Sequence, residues 1–212
     1  MYSVVVLCAG KGTRSGLGYN KMFYQFQGQT IYEMTMKVFL EDNCCGQIIV
    51  VCRQDERGQF QQLCQDQRIE FVEGGQERQN SVYAGLQNVR YENVLIHDGA
   101  RPYVKKEQIQ LLLECLKTHQ ACLLMVPCKD TIKEVHHNQV VKTLKREMLM
   151  QAQTPQAFKK EIIIQAYKQG IEQGIQATDD AQMVEMFTNE KVYVVMGDYE
   201  NKKITTKDDL IG

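Results

Sequence analysis

No run of apolar residues in this chain approaches the roughly 20 needed to cross a bilayer as a helix. Met1-Tyr2-Ser3 leads at once into the first strand-like run, leaving no room for a signal peptide. Both absences lead to the expectation of a soluble cytoplasmic protein with no membrane partner. Proline is scarce, with three in 212 residues, and no repeat, low-complexity tract or Pro/Gly/Ser-rich stretch marks a linker. A single domain over residues 1–212 is therefore expected, at a length that buries a sizeable core. An excess of one charge sign is missing too. Lys and Arg total 25 against 26 Asp and Glu, a net charge of -1, so no global basic field draws in nucleic acid. The eight cysteines form no C-x-x-C pair and no zinc-like Cys/His spacing. Most sit within apolar runs, as Cys52 does after Ile48-Ile49-Val50-Val51, and read as small buried hydrophobes in a reducing compartment. Cys8 falls in a loop and is expected to be more exposed than the rest.

What the chain does have is alternation. Short, apolar, β-branched runs at 4–7, 47–52, 69–72, 94–97, 122–126 and 191–196 predict strands covered on both faces. Apolar residues at helical spacing predict helices over 31–40, 56–64, 78–89 and 107–117, and again over 159–173 and 179–187. This βαβα order predicts an α/β fold with a mainly parallel sheet, whose ligands bind at the carboxyl ends of strands. After Pro127 the pattern changes. Two polar-flanked strands, 129–133 and 139–144, joined through 135–138, predict a hairpin too poor in apolar residues to stand alone. It is either an arm that packs on a partner chain or a surface hairpin lying on its own domain.

Several loops after strands carry chemistry. Leu7-Cys8-Ala9-Gly10-Lys11-Gly12-Thr13-Arg14-Ser15-Gly16 is glycine-rich, and Lys21 follows. Glycines allow close backbone approach to a polyphosphate, and Arg14 and Lys21 supply positive charge. The spacing is neither the dinucleotide fingerprint nor a Walker A loop. A triphosphate site is the functional reading, and a tight turn with two solvated cations the plain one. In Glu73-Gly74-Gly75-Gln76-Glu77-Arg78-Gln79-Asn80-Ser81, backbone around the glycines and the Ser81 hydroxyl can read a base edge, or simply form a turn and helix start. In His97-Asp98-Gly99-Ala100-Arg101-Pro102, Asp98 suits a metal ion or substrate hydroxyls. Arg101 suits a phosphate or a loop brace, and His97 reads as a core histidine. His136 and His137 read as solvated. Three later clusters are Asp130-Thr131 with Arg146, Gln153-Thr154-Pro155-Gln156, and Thr178-Asp179-Asp180 with Thr178 as a helix N-cap. Lys203, in Asn201-Lys202-Lys203-Ile204-Thr205, precedes a predicted helix.

The order of these segments resembles one family over nearly the whole chain. A-G-K-G-T-R, N-K, G-G-x-x-R-x-x-S-V, H-D-G-A-R-P, D-T-I-K, T-P-Q, T-D-D-A and K-I-T together look like the 2-C-methyl-D-erythritol 4-phosphate cytidylyltransferase family. Its near relative, ribitol-5-phosphate cytidylyltransferase, carries H-D-S-V-R-P where this chain has H-D-G-A-R-P, which favours the former. The resemblance implies a Rossmann-like three-layer αβα domain of the nucleotide-diphospho-sugar transferase type, with residues 129–146 as a dimerisation arm. It implies a homodimer that joins CTP to a polyol phosphate with release of pyrophosphate, assisted by Mg2+ held mainly on the CTP phosphates, with Asp98 as the one candidate protein ligand. Arg14, Lys21 and Lys203 match catalytic cations. Leu7, Cys8, Ala9, Gly10, Lys11, Gly12, Thr13, Gly75, Gln76 and Ser81 match the nucleotide site. Asp98, Arg101, Thr154 and Thr178 match positions around the polyol phosphate, and Thr131 and Arg146 match arm residues that enter the neighbouring subunit's site. Cys8, Gln76 and Met22 depart from the family's common residues, and the stretch after Asp208-Asp209-Leu210 is short. An anionic phosphate nucleophile needs no general base, which fits the absence of a Ser/His/Asp or Cys/His set. A catalytically silent nucleotide-binding regulator is the reading from another class.

Overall fold

The computed structural model describes residues 1–10, 16–26, 28–206 and 209. In chain order the elements are β1 (Tyr2–Leu7), a 3-10 turn (Lys21–Phe23), β2 (Gln25–Phe26), β3 (Gln29–Thr30), α1 (Ile31–Leu40) and β4 (Cys45–Cys52). A second 3-10 turn (Gln54–Glu56) leads into α2 (Arg57–Leu63), then β5 (Ile69–Glu73), α3 (Arg78–Leu86), β6 (Asn93–Asp98), α4 (Lys106–Cys115) and β7 (Ala121–Pro127). There follow β8 (Lys133–His136), β9 (Gln139–Thr143), a 3-10 turn (Arg146–Met148), β10 (Met150–Lys159), α5 (Lys160–Glu172), α6 (Asp180–Phe187) and β11 (Val192–Met196).

Seven strands form one sheet in the order β11-β7-β10-β6-β1-β4-β5. All neighbours run parallel except β10, which is antiparallel to both β6 and β7. Alternate residues of each strand serve opposite cores. Val4, Val6, Ile48 and Val50 pack with Tyr32, Met36 and Phe39 of α1, Phe60 of α2 and Ile109 and Leu112 of α4. Val5, Ile49 and Val51 face the other way, onto Val82 and Leu86 of α3, Ile163 and Tyr167 of α5 and Met183 of α6. This double burial is why the strands read as unbroken apolar runs, and it yields the expected αβα layering. β1, β4, β5 and β6 then end side by side on one rim of the sheet.

The strand that escaped the sequence pattern is β10. Its Gln153, Thr154 and Gln156 are buried polar residues in the middle of a sheet, so no apolar run announces it. Its pairing with β7 breaks between Ala152 and Gln156, where Pro155 has no N–H to donate. Gln156 donates to Asp179 Oδ2 at 2.9 Å and accepts from Ala181 N at 2.8 Å, tying the start of α6 to the sheet.

Three smaller expectations are corrected. The first hairpin strand lies at Lys133–His136, not at 129–133, and the turn is the pair His137-Asn138, both with positive φ (46° and 61°). That two-residue geometry matches the twist of the flanking strands. Asp179, not Thr178, caps α6 and accepts from Gln182 N at 2.9 Å, while the Thr178 hydroxyl turns to Gln182 Oε1 at 3.0 Å. The helix expected after Lys203 falls mostly outside the described residues, and 202–205 themselves are irregular. Cys8 is 1% exposed, because it continues β1 into the core.

Replacing Gln156 with alanine leaves the Ala181 N–H buried without its acceptor, which costs about 1–3 kcal/mol. Urea unfolding should show that loss, whereas Gln139→Ala on the exposed hairpin should stay within about 0.5 kcal/mol of wild type. Equal stability of the Gln156 variant and wild type would refute the strut.

Candidate active site

The carboxyl ends of β1, β5 and β6 open into a cavity of about 1170 Å³. Of the residues singled out from sequence, Leu7, Cys8, Ala9, Gly10, Lys21, Gly75, Gln76, Ser81, Asp98 and Lys203 line it. Lys11, Gly12, Thr13 and Arg14 lie outside the described residues.

One wall is backbone. A Cβ on Gly74 would lie 2.6 Å from Ala9 Cβ and 3.0 Å from Ser81 Oγ, so only glycine lets the two strand ends approach this closely. Ser81 is 5% exposed, and its hydroxyl accepts from Gly75 N at 3.1 Å. It therefore shapes the glycine turn from the first turns of α3. Burial pushes the Cys8 thiol well up, so it stays protonated and unreactive.

A second part of the lining is ionic. Asp98, at the last position of β6, is 8% exposed. Its carboxylate meets Lys203 Nζ at 2.7 Å and the guanidinium Nε atoms of Arg78 and Arg101, each at 3.7 Å. Burial alone would raise its pKa, but Lys203 first, then Arg78 and Arg101, hold it well below the usual carboxylate range. Arg78 is anchored from behind by Asp180, with bonds of 2.8 and 2.7 Å. Asp180 is fully buried and also accepts from the Tyr167 hydroxyl. Burial would lower the Arg78 pKa, yet Asp180 more than offsets it, and the guanidinium stays charged.

Lys203 reaches this wall because the segment around it is pinned to β10. Asn201 is fully buried and donates to Thr154 O at 2.9 Å, and Gln153 donates to Asp198 O at 2.8 Å. Arg101 donates to Asn201 O at 2.8 Å, and Ile204 N donates to Ala100 O at 2.8 Å. Lys21 Nζ then donates to Ile204 O at 2.6 Å, so cations from both ends of the chain sit at adjoining positions. Thr154 is 5% exposed and its hydroxyl accepts from Asp98 N at 3.0 Å, steadying β6's end without lining the cavity itself.

Arg101 also stays outside the lining and braces the loop. Thr178 is exposed beside the α6 cap. Thr131 and Arg146 lie exposed at the base of the hairpin, where Arg146 donates to Lys129 O at 3.1 Å. The structure thus gathers the nucleotide-loop residues, Lys21, Asp98 and Lys203, and leaves the hairpin pair apart. Sequence reasoning assigned no role to Arg78 or Asp180. The signal was there in R-x-x-S and T-D-D, but nothing in one dimension joins residues so far apart.

Lys203 and Arg101 both face Asp98 Oδ2, and Arg78 faces Oδ1. Among the described residues no cluster of three or more His, Cys, Asp or Glu side chains is arranged to hold a metal. His97, fully buried, contacts Arg101 O at 3.1 Å and Thr154 Oγ1 at 3.2 Å. It stands behind the site as a structural group.

A parallel sheet, a glycine-walled cavity at its carboxyl rim and converging lysines define an α/β nucleotidyltransferase. The family profile described as "IspD: 2-C-methyl-D-erythritol 4-phosphate cytidylyltransferase" matches residues 2–212, and the chain belongs to that family. It is 42% identical over 215 residues to the 2-C-methyl-D-erythritol 4-phosphate cytidylyltransferase of Bacillus licheniformis, covering 99% of this chain and 93% of the relative. It is 43% identical to the enzyme of the same name from Geobacillus thermodenitrificans, covering 99% and 94%. Among solved structures, the 4-diphosphocytidyl-2C-methyl-D-erythritol synthase of Anaerococcus prevotii superposes with a TM-score of 0.89 at 31% identity, covering 100% of this chain and 95% of that one.

Burial holds the His97 pKa down to about 4 from 6.5. Between those values the unfolded chain binds a proton that the folded chain refuses. His97 therefore contributes stability above pH 6.5 that is lost as pH falls toward 4. Urea unfolding of His97→Gln should lack up to about 3 kcal/mol of the wild-type decline over that window. The same decline in both proteins would refute a neutral buried histidine.

Proposed function

We propose that this enzyme transfers the cytidylyl group of CTP to 2-C-methyl-D-erythritol 4-phosphate, giving 4-diphosphocytidyl-2-C-methyl-D-erythritol and pyrophosphate. The reaction belongs to the non-mevalonate route to isoprenoid precursors. The observation that carries the reading is the Lys21 Nζ bond to Ile204 O, which brings Lys21 beside the Lys203 segment in a cavity that Gly74 and Gly75 also line. A phosphate oxygen of the substrate attacks the α-phosphorus of CTP. The bond from that phosphorus to the bridging oxygen breaks, and pyrophosphate leaves with the electron pair. The nucleophile is anionic already, so no base is needed, and catalysis rests on alignment and positive charge. Lys21 and Lys203 supply that charge, joined by Arg14.

The backbone of residues 7–10 and of Gly75 and Gln76 frames the cytosine, with Ser81 holding the turn. Asp98 orients the polyol, and Arg101, Thr154 and Thr178 frame its pocket. Mg2+ enters on the CTP phosphates as part of the substrate. The hairpin is a dimer arm, carrying Thr131 and Arg146 into a second copy's site. Its exposed Val135, Val140 and Val141 support this, because exposed apolar residues on a ribbon call for a cover. The cytoplasm suits a chain whose eight cysteines are all unpaired and in which no described helix is long and apolar enough to cross a membrane.

With CTP and Mg2+, the purified protein should release pyrophosphate on methylerythritol phosphate and not on ribitol 5-phosphate. Release with ribitol phosphate alone would overturn the substrate, and CTP binding without release on either would point to a silent regulator. Lys21→Ala should lower kcat by roughly 100- to 1000-fold, the scale of losing one transition-state donor. Near-normal turnover in that variant would remove Lys21 from the mechanism. Mixed dimers of Lys21→Ala and Arg146→Ala chains should regain activity, because each contains one site with both residues intact. Mixed dimers without recovery would refute the shared site.

A further inference from the structure

One carboxylate beside the cavity has no part in the chemistry above. Glu56 ends the 3-10 turn before α2 and is 5% exposed. Its Oε2 accepts from Asn20 Nδ2 at 2.8 Å and its Oε1 from the Arg53 guanidinium at 2.6 Å. Asn20 is 3% exposed, and both ends of its amide are used. Nδ2 also donates to Cys8 O at 2.8 Å, at the exit of β1. Oδ1 accepts from Met22 N at 3.1 Å and caps the short turn Lys21–Phe23. One side-chain amide thus ties together the nucleotide loop, the Lys21 turn and the 54–56 turn.

The chemistry of the amide makes the carboxylate matter. An asparagine can rotate by half a turn and exchange its donor end for its acceptor end. A carboxylate only accepts, so Glu56, together with the Cys8 carbonyl, holds the Nδ2 end toward itself and leaves Oδ1 for the Met22 N–H. A lysine stem is long and flexible, and its ammonium is placed only if the backbone below it is fixed. We infer that Glu56 is a positioning residue for Lys21, acting through the orientation of the Asn20 amide, with Arg53 holding the carboxylate in register. It touches neither nucleotide nor polyol. This inference rests on the role given to Lys21 above.

The test is a double-mutant cycle on kcat, read as pyrophosphate release at saturating CTP and methylerythritol phosphate. Glu56→Ala should lower kcat roughly 10- to 100-fold, the scale of a misplaced catalytic group, with KM for CTP little changed. In a Lys21→Ala background the same change should cost less than about twofold, since the two act as one unit. Glu56→Gln, which still offers Asn20 an oxygen, should keep most of the wild-type kcat. If Glu56→Ala does not fold, Asn20→Asp sets two carboxylates face to face. Its kcat should fall and then recover in part when combined with Glu56→Gln, whose amide donates to the new carboxylate while the Cys8 carbonyl stays without its donor. Unchanged kcat in Glu56→Ala, an equal loss in both backgrounds, or no recovery in the Asn20 pair would overturn the inference. Wild-type protein that releases no pyrophosphate, or Lys21→Ala with normal turnover, would instead bring down the functional reading and this inference with it.

Discussion

The meeting of Asp98 with Lys203, Arg78 and Arg101 is the interaction on which the site depends. The four groups come from four places: the end of β6, the irregular segment beyond β11, the start of α3 and the loop after β6. Each cation alone would be drawn away by water or by another acid. The buried carboxylate is the common partner that brings them to one point, and its own burial is tolerable only because they are there. Removing it would leave three like charges facing one another, which is costlier than breaking any one of the three ion pairs. The arrangement keeps an excess of positive charge beside a cavity built for anions.

The sheet serves that meeting through its least sheet-like strand. β10 places glutamine, threonine and proline where valine or isoleucine would pack better, and Gln153, Thr154 and Gln156 each hydrogen-bond a neighbouring segment. Gln156 reaches α6, whose Asp180 anchors Arg78. Thr154 holds the end of β6, and its carbonyl receives Asn201. Gln153 takes the Asp198 carbonyl. One polar strand therefore orders both the front and the back of the cation cluster. Stability from apolar burial at the sheet's centre is given up for position.

Much of this was legible in one dimension. Parallel strands buried on both faces show as continuous apolar runs, and glycine-rich turns after them mark the rim where ligands bind. The Lys21, Asp98 and Lys203 positions follow from that logic and from the order of the motifs. β10 was not legible, because burial of polar residues depends on partners such as Asp179 and Asn201 that a local pattern cannot display. The cap of α6 was misplaced by one residue, since Thr178 and Asp179 are both good caps and only the backbone distinguishes them. Cys8 looked like a loop residue because glycine follows closely, yet its amide still bonds Val51 as strand does. Glu56 lies in no motif at all, and its meaning comes from one hydrogen bond to Asn20.

The bond between Lys21 and Ile204 has a consequence for the order in which the protein is made. Its partners are 183 residues apart, so nearly the whole chain must leave the ribosome before the bond can form. The glycine-walled half of the cavity belongs to strands that emerge first and can pair early. Lys21 and Lys203 come together only when the segment after β11 docks on β10. A nascent chain therefore passes through a stage with the glycine-walled half of the cavity and Lys21 made but Lys203 not yet beside Asp98, and the cavity is completed in a single late step.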